Sequence, residues 1–431
     1  MRFTTLDQWL DWQTSLHPRE IELGLDRCRI VAQRLNLLPP PYFIITIAGT
    51  NGKGSSTVLL DTILSTAGYR VGRYTSPHLL RYNERICIAG QEVTDEQLCG
   101  AFNAIEIVRD NISLTFFEFS TLAAMLIFQA NQIDLALLEV GLGGRLDAVN
   151  IFDADVALVT AIDIDHVDWL GPDRESIGLE KAGILRPYHP AVCSDTHPPQ
   201  SLINYAHQLP TALYCLGQHF TYQQLDNTSW SWQYHSVIPD QPDNSFSYTQ
   251  LPFPQLLGDF QLQNAAGVLM VLELIKGSFP CSLLALQQGL VQASLPGRFQ
   301  ILAGETMRIL DVAHNPLGAQ VLNKLLLHQQ LSYGKTYAVV GMLKDKDIAS
   351  VFKMMQNAID HWYVAPLNTP RSATVPQLLD YLVALGITSI RHYPSITIAY
   401  NQACLTAQAG DRIVVFGSFY SVAEVLRLEQ E

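Results

Sequence analysis

Residues 45–57 read ITIAGTNGKGSST. Lysine and serine lie among glycines here, between two apolar segments. That mixture suits a polyphosphate. Gly49, Gly52 and Gly54 let several backbone N–H groups approach one anion. Asn51 and Lys53 lie among them, and Lys53 brings a flexible point charge for the outer phosphates. Ser55 or Ser56 can hold a divalent cation. The spacing departs from the usual pattern G-x-x-x-x-G-K-[ST]. Ile47 stands where the first glycine belongs, and Gly54 follows Lys53, so a hydroxyl arrives only at Ser55. Glycine turns are common, and a tight turn with a surface lysine is the competing reading.

Two further clusters carry candidate ligands. In EVGLGGRLDAVN, Glu139 closes an apolar run, where a carboxylate needs a partner. A magnesium ion would supply one. Gly141, Gly143 and Gly144 lack the full G-x-G-x-x-G spacing of a dinucleotide loop. Arg145 and Asp147 read either as substrate contacts or as an ion pair across the turn. In DIDHVDWLG, the carboxylates Asp163, Asp165 and Asp168 surround His166, which makes that histidine a candidate metal ligand beside Glu139. Oxygen donors favour magnesium, and the imidazole suits manganese as well. No H-E-x-x-H set supports zinc hydrolysis, and no G-x-S-x-G elbow supports a serine hydrolase. On its own chemistry Lys181, in LEKAGILRP, reads as a surface lysine whose stem lies along apolar neighbours. Asp311, His314 and Asn315 of ILDVAHNP either reach a ribose or adenine or form an Asx-type turn before the proline.

These clusters need elements to position them. FIITIAG reads as a buried strand, and SSTVLLDTILSTAG as a helix stopped by Gly68. The first motif therefore joins a strand to a helix N-terminus, where the helix dipole favours anions. Helical periodicity also marks residues 6–37, FEFSTLAAMLIFQAN and RESIGLEKAGILR, whereas IDLALLEVGLGG and ADVALVTAID read as strands. Alternation of this kind predicts an α/β fold with a parallel sheet covered on both faces, and ligands bind at the carboxyl ends of its strands. Residues 217–255 are polar with interleaved aromatics and predict a small antiparallel excursion. A helix pair follows, at about 260–275 and 281–293, then SLPGR as a hinge. Strands recur at MRILDVAHN, KTYAVVGML, HWYVAPL and DRIVVFGS. The expectation is a P-loop-type parallel-sheet ATPase domain over 1–296 and a smaller Rossmann-like α/β domain over 297–431.

Composition narrows the classes. Of 431 residues 48% are hydrophobic and 16% charged, which suits a globular core. The net charge is −13, and no basic stripe marks a nucleic-acid binder. Seven scattered cysteines form no C-x-x-C pair and read as buried thiols in a reducing compartment. Neither a signal peptide nor a membrane span is expected. A cytoplasmic monomer is.

AGTNGKGS, TSPHLLRYNERI, FFEFSTLAA, EVGLGGRLDAVN, IDHVDWLGPDRESIGLEKAGI, LPGRFQ and DVAHNP occur in this order. Together they resemble the folylpolyglutamate synthase family, related to the Mur ligases, from about residue 20 to the end. The resemblance implies ATP-driven amide ligation. A carboxylate of dihydropteroate, or the γ-carboxylate of a folate, becomes an acyl phosphate that L-glutamate attacks. It implies ATP and two magnesium ions, with manganese as a substitute. Asn51, Gly52, Lys53 and Gly54 would hold phosphates, and Ser55 the metal between them. Ser76, Glu139 and His166 would hold the second metal. Lys181 matches a lysine that is carbamylated in the family, against its reading from chemistry alone. Asn264, Arg298 and Asp311 match ATP contacts, with His314 beside them. Gly24, Arg81, Thr115, Phe116, Phe117, Glu118, Leu146, Asp147 and Ala148 would line the pterin pocket. Tyr420 departs from the family, which often has histidine there. Two other readings compete. A Mur-type ligase acting on a UDP-sugar would carry a domain ahead of the loop, where about 44 residues stand. A regulatory ATPase would hydrolyse nucleotide without an acceptor.

Overall fold

The computed structural model describes residues 2–19, 21–235, 245–329 and 334–430. The chain divides into two compact units: Met1–Gln255 with Asp259–Ser294, and Leu256–Gly258 with Leu295–Glu431.

The first unit is built on an eight-stranded sheet. From one edge its strands are Gln91–Glu92, Ile86–Ile88, Val71–Tyr74, Leu135–Glu139, Phe43–Ala48, Val156–Val159, Ala191–Cys193 and Leu213–Cys215. The strands from Val71–Tyr74 onward run parallel, and the Gln91–Glu92/Ile86–Ile88 hairpin joins them antiparallel. Phe43–Ala48 is central and almost wholly buried, as an unbroken apolar run requires. It feeds the glycine loop into the helix Lys53–Thr66, whose residues Ser55–Leu60 are all buried. That helix packs on Asp259–Ile275 and on Leu283–Gln292. At Gly289 the approach is so close that a Cβ would lie 2.7 Å from the Ile63 Cα. The region predicted helical over 6–37 is two helices, Leu6–Leu16 and Asp26–Arg34.

The antiparallel excursion is a three-stranded sheet of Phe220–Gln224, Ser229–Tyr234 and Phe246–Pro252. Residues 236–244 of that stretch lie outside the described residues. Trp230 and Trp232 are fully buried, and the Trp232 indole donates to the Ala266 carbonyl (3.1 Å), which ties this sheet to the helix Asp259–Ile275.

The second unit has a six-stranded sheet in the order Gln300–Leu302, Met307–Leu310, Arg412–Phe416, Thr336–Val340, His361–Val364 and Ile390–His392. All pairs are parallel except the first. Each predicted strand is present. All seven cysteines are free; five are buried, Cys281 is partly exposed and Cys404 exposed. Among the described residues no helix is long and apolar enough to cross a membrane.

Candidate active site

In the first unit the glycine loop is fixed to the end of the neighbouring strand. The N–H groups of Thr50 and Asn51 donate to the Ala161 carbonyl (2.7 and 3.3 Å). Thr160 Oγ1 donates to the Asn51 carbonyl (2.8 Å). A side chain at Gly49 would place its Cβ 1.8 Å from Thr160 Oγ1. Gly52 has φ 92° and caps the helix in the left-handed region, and its Cβ would meet Asn264 Oδ1 at 2.4 Å. Both positions demand glycine, on space and at Gly52 on conformation too. Lys53 Nζ donates to the Gly49 and Thr50 carbonyls (2.9 and 3.3 Å), so its charge sits over the loop.

Gln261, which sequence reasoning missed, organises this loop from below. Its amide donates to Ser55 Oγ (3.3 Å), and its carbonyl accepts from Asn264 Nδ2 (3.0 Å). The signal was available: Gln261 lies three residues before Asn264, on the same helical face.

The ends of the adjoining strands bring the remaining candidates. Glu139 is 5% exposed, and Oε2 accepts the Ser76 N–H (3.3 Å), so those two residues are neighbours. His166 begins the short helix Val167–Leu170 in the left-handed region (φ 53°). Its partly exposed ring lies 3.9 Å from Asp165 Oδ2. Among the described residues no three His, Cys, Asp or Glu side chains form a cluster that could hold an ion. The set Ser76, Glu139 and His166 offers two such residues and a hydroxyl. Oxygen-rich donors with few protein ligands suit a magnesium ion that keeps waters and phosphate oxygens.

Lys181 overturns its surface reading. It is 3% exposed, on the helix Arg174–Ala182, against the glycine-rich loop; a Cβ at Gly144 would lie 3.1 Å from its Cα. Burial pulls its ammonium down to about 7, and the charge of Lys53 adds to this, while Asp165, Asp147 and Glu180 oppose it. The helix turns Lys181 inward, which a local pattern of flanking apolar residues does not reveal.

The Arg145–Asp147 ion pair does not form. Arg145 pairs with Glu180 (2.7 Å), while Asp147 is buried and accepts from the N–H groups of Leu142 (2.8 Å) and Val149 (3.1 Å). Burial raises the Asp147 carboxyl to about 7 against those bonds and against Lys53. Gly24 N donates to the Leu146 carbonyl (3.3 Å), and among the described residues, its chain neighbours aside, no atom lies within 4 Å of where a Gly24 Cβ would be. Thr115 and Glu118 cap the helix Phe116–Ala130 reciprocally, and Glu118 also pairs with Arg27 (3.3 Å). The Phe117 ring covers Gly141, where a Cβ would stand 2.7 Å from it. Burial pushes the Cys28 thiol up, and the carboxylates of Glu118 and Asp147 add to this. Gly24 thus neighbours Leu146, and the helix Phe116–Ala130 packs on the short helix Ala148–Ile151. Arg81 is directed elsewhere: its guanidinium pairs with the exposed Asp95 (3.2 Å).

The second unit has its own cluster at its strand ends. Asp311 accepts from the N–H groups of Phe299 and Ala313 (2.8 Å each). Burial raises its carboxyl and Arg298 opposes that. The Arg298 guanidinium stands 5.7 Å over the Phe419 ring, and His314 lies 6.1 Å from it. Asn315 caps the helix Pro316–His328 through Gly318 N (2.8 Å), as the Asx-type reading expects. Tyr420 is exposed.

A parallel sheet with a glycine loop and carboxylates at its strand ends, together with a separate α/β unit, suits a nucleotide-binding enzyme, and the family models give its class as Mur ligase. The Mur ligase middle domain matches residues 47–272, and the Mur ligase glutamate ligase domain matches 297–419. Within that class, the dihydrofolate synthase/folylpolyglutamate synthase of Escherichia coli is 42% identical over 98% of this chain and 95% of its own. The structure of E. coli FolC in complex with DHPP and ADP superposes with a TM-score of 0.91 at 42% identity, covering 99% of this chain and 98% of that one. A bifunctional folylpolyglutamate synthase/dihydrofolate synthase with Mn, AMPPNP and L-glutamate bound has a TM-score of 0.89 at 44% identity, with 99% and 98% covered. The chain belongs to the dihydrofolate synthase/folylpolyglutamate synthase family.

Proposed function

We propose that this protein is an ATP-dependent ligase that joins L-glutamate to dihydropteroate and to the γ-carboxylate of folates. The observation that carries the reading is the altered glycine loop, pinned to Ala161 and packed on Asn264, in a chain whose similarity to these ligases spans 98% of its length. Residues 1–296 would bind ATP and pterin, and 297–431 form the glutamate-ligase domain. Asn51, Gly52, Lys53 and Gly54 hold the phosphates by backbone N–H groups and the lysine charge. Asn264, packed on Gly52, contacts ATP in the first unit, and Arg298, Asp311 and His314 are the second unit's own candidate nucleotide contacts. Magnesium, or manganese in its place, would be held by Ser55 at one position and by Ser76, Glu139 and His166 at another. Bound there, the metal neutralises phosphate charge. Gly24, Thr115–Glu118 and Leu146–Ala148 orient the pterin acid; Arg81, paired with Asp95, is left out of that pocket. A neutral amine adds CO2, and Lys181 is proposed to carry the resulting carbamate beside that second position.

The carboxylate of the acid substrate attacks the γ-phosphorus and ADP departs. The glutamate amine then attacks the acyl carbon, and phosphate leaves with one former carboxylate oxygen. Positioning and charge neutralisation do most of this work. The proposed location is the cytoplasm, where free thiols persist. Steady ADP release should require dihydropteroate and glutamate together. Equal release with either alone would make the protein an ATPase and remove the ligase reading.

A further inference from the structure

The loop that carries Ser76 is held by two residues that no role above uses. Glu84, in the short helix Tyr82–Arg85, takes three backbone N–H groups on its carboxylate: Leu79 on Oε2, and Leu80 and Arg81 on Oε1, all at 2.7 Å. A carboxylate gathering three successive amides fixes the path of the segment that leaves Ser76-Pro77-His78. Arg85 fixes the other side. Its carbonyl accepts the Thr75 N–H (2.9 Å), and its Nε donates to His78 Nδ1 (2.8 Å). Its guanidinium lies 5.4 Å from the Tyr82 ring centre and 5.3 Å from that of Phe116, at the start of the helix assigned to the pterin pocket. Ser76 therefore sits between two anchored flanks, with its own N–H on Glu139.

We infer that Glu84 is a positioning residue for the second metal: it holds the loop so that Ser76 meets Glu139, without touching the ion. The inference rests on the metal reading of Ser76, Glu139 and His166 given above. Groups bonded directly to metal ligands usually change metal affinity by about 10–100-fold when removed, and Glu84, which acts through the backbone of Leu79–Arg81, should fall at the lower end.

The test titrates Mn2+ into AMPPNP-saturated protein and follows free Mn2+ by electron paramagnetic resonance. Wild-type protein should bind two ions. In Glu84→Ala one of them should weaken by about tenfold, with the other ion, AMPPNP affinity and Tm near wild type. Glu84→Gln keeps an acceptor at Oε1 for Leu80 and Arg81 and loses only the bond to Leu79, so its loss should be smaller. If Glu84→Ala does not fold, Glu84→Gln decides. Wild-type affinity for both ions in the folded variant overturns the positioning role. A wild-type protein that binds a single ion overturns the metal reading and this inference with it.

Discussion

Lys53→Ala should lower ligase turnover by about a thousandfold, on the order of what is lost with a key charge in phosphoryl transfer. The charge is placed over the loop by bonds to the Gly49 and Thr50 carbonyls, and alanine cannot reproduce it. The fold should survive. Alanine is a good first-turn residue, and the loop remains tied by Thr50, Asn51 and Thr160. Lys53→Arg should recover only part of the rate, because a planar fork replaces a compact ammonium. The check is steady-state kinetics beside a thermal melt. Turnover near wild type in the folded alanine variant would remove the loop lysine from the mechanism.

The second large effect belongs to Lys181. Lys181→Met keeps the buried volume and removes the amine that the carbamate needs. Turnover should fall by about a hundredfold, in the range of outer-shell losses at metal sites. Stability should move the other way. The folded ammonium titrates near 7, below its ordinary 10.5, so the unfolded chain binds more protons between those values. Lysine therefore opposes folding most at and below pH 7, and that opposition fades as pH rises toward 10.5. In CO2-depleted protein the methionine variant should be more stable at neutral pH, with the difference shrinking in alkali. With isotopically labelled bicarbonate, wild type should show a carbamate carbon by NMR and the variant none. A variant with wild-type turnover, or wild type without that signal, would remove the carbamate.

Much of this was legible in the sequence where the signal is local. Phe43–Ala48 and Leu135–Glu139 announce themselves as buried strands, because strands covered on both faces are continuously apolar. The glycine loop between strand and helix is legible for the same reason. The Asx-type reading of Asn315 before Pro316 matches the helix cap it forms. What was not legible depends on contacts distant in sequence. Lys181 looks like a surface residue until the loop Gly141–Asp147 is folded over it. Arg145 turns to Glu180, 35 residues away, and Asp147 to nearby amides, so their adjacency in the chain misleads. The roles of Glu84 and Gln261 lie in backbone and side-chain partners that no composition or periodicity announces. The motif order led to the family because it joins separate segments, whereas each segment alone admits a structural explanation.

The central claim, ligation through an acyl phosphate, has a direct test. Dihydropteroate whose carboxylate carries heavy-isotope oxygen is turned over with ATP and glutamate, and the released phosphate is weighed by mass spectrometry. The account predicts one labelled oxygen in each phosphate and the other in the new amide. Unlabelled phosphate, with both heavy oxygens elsewhere, would contradict it.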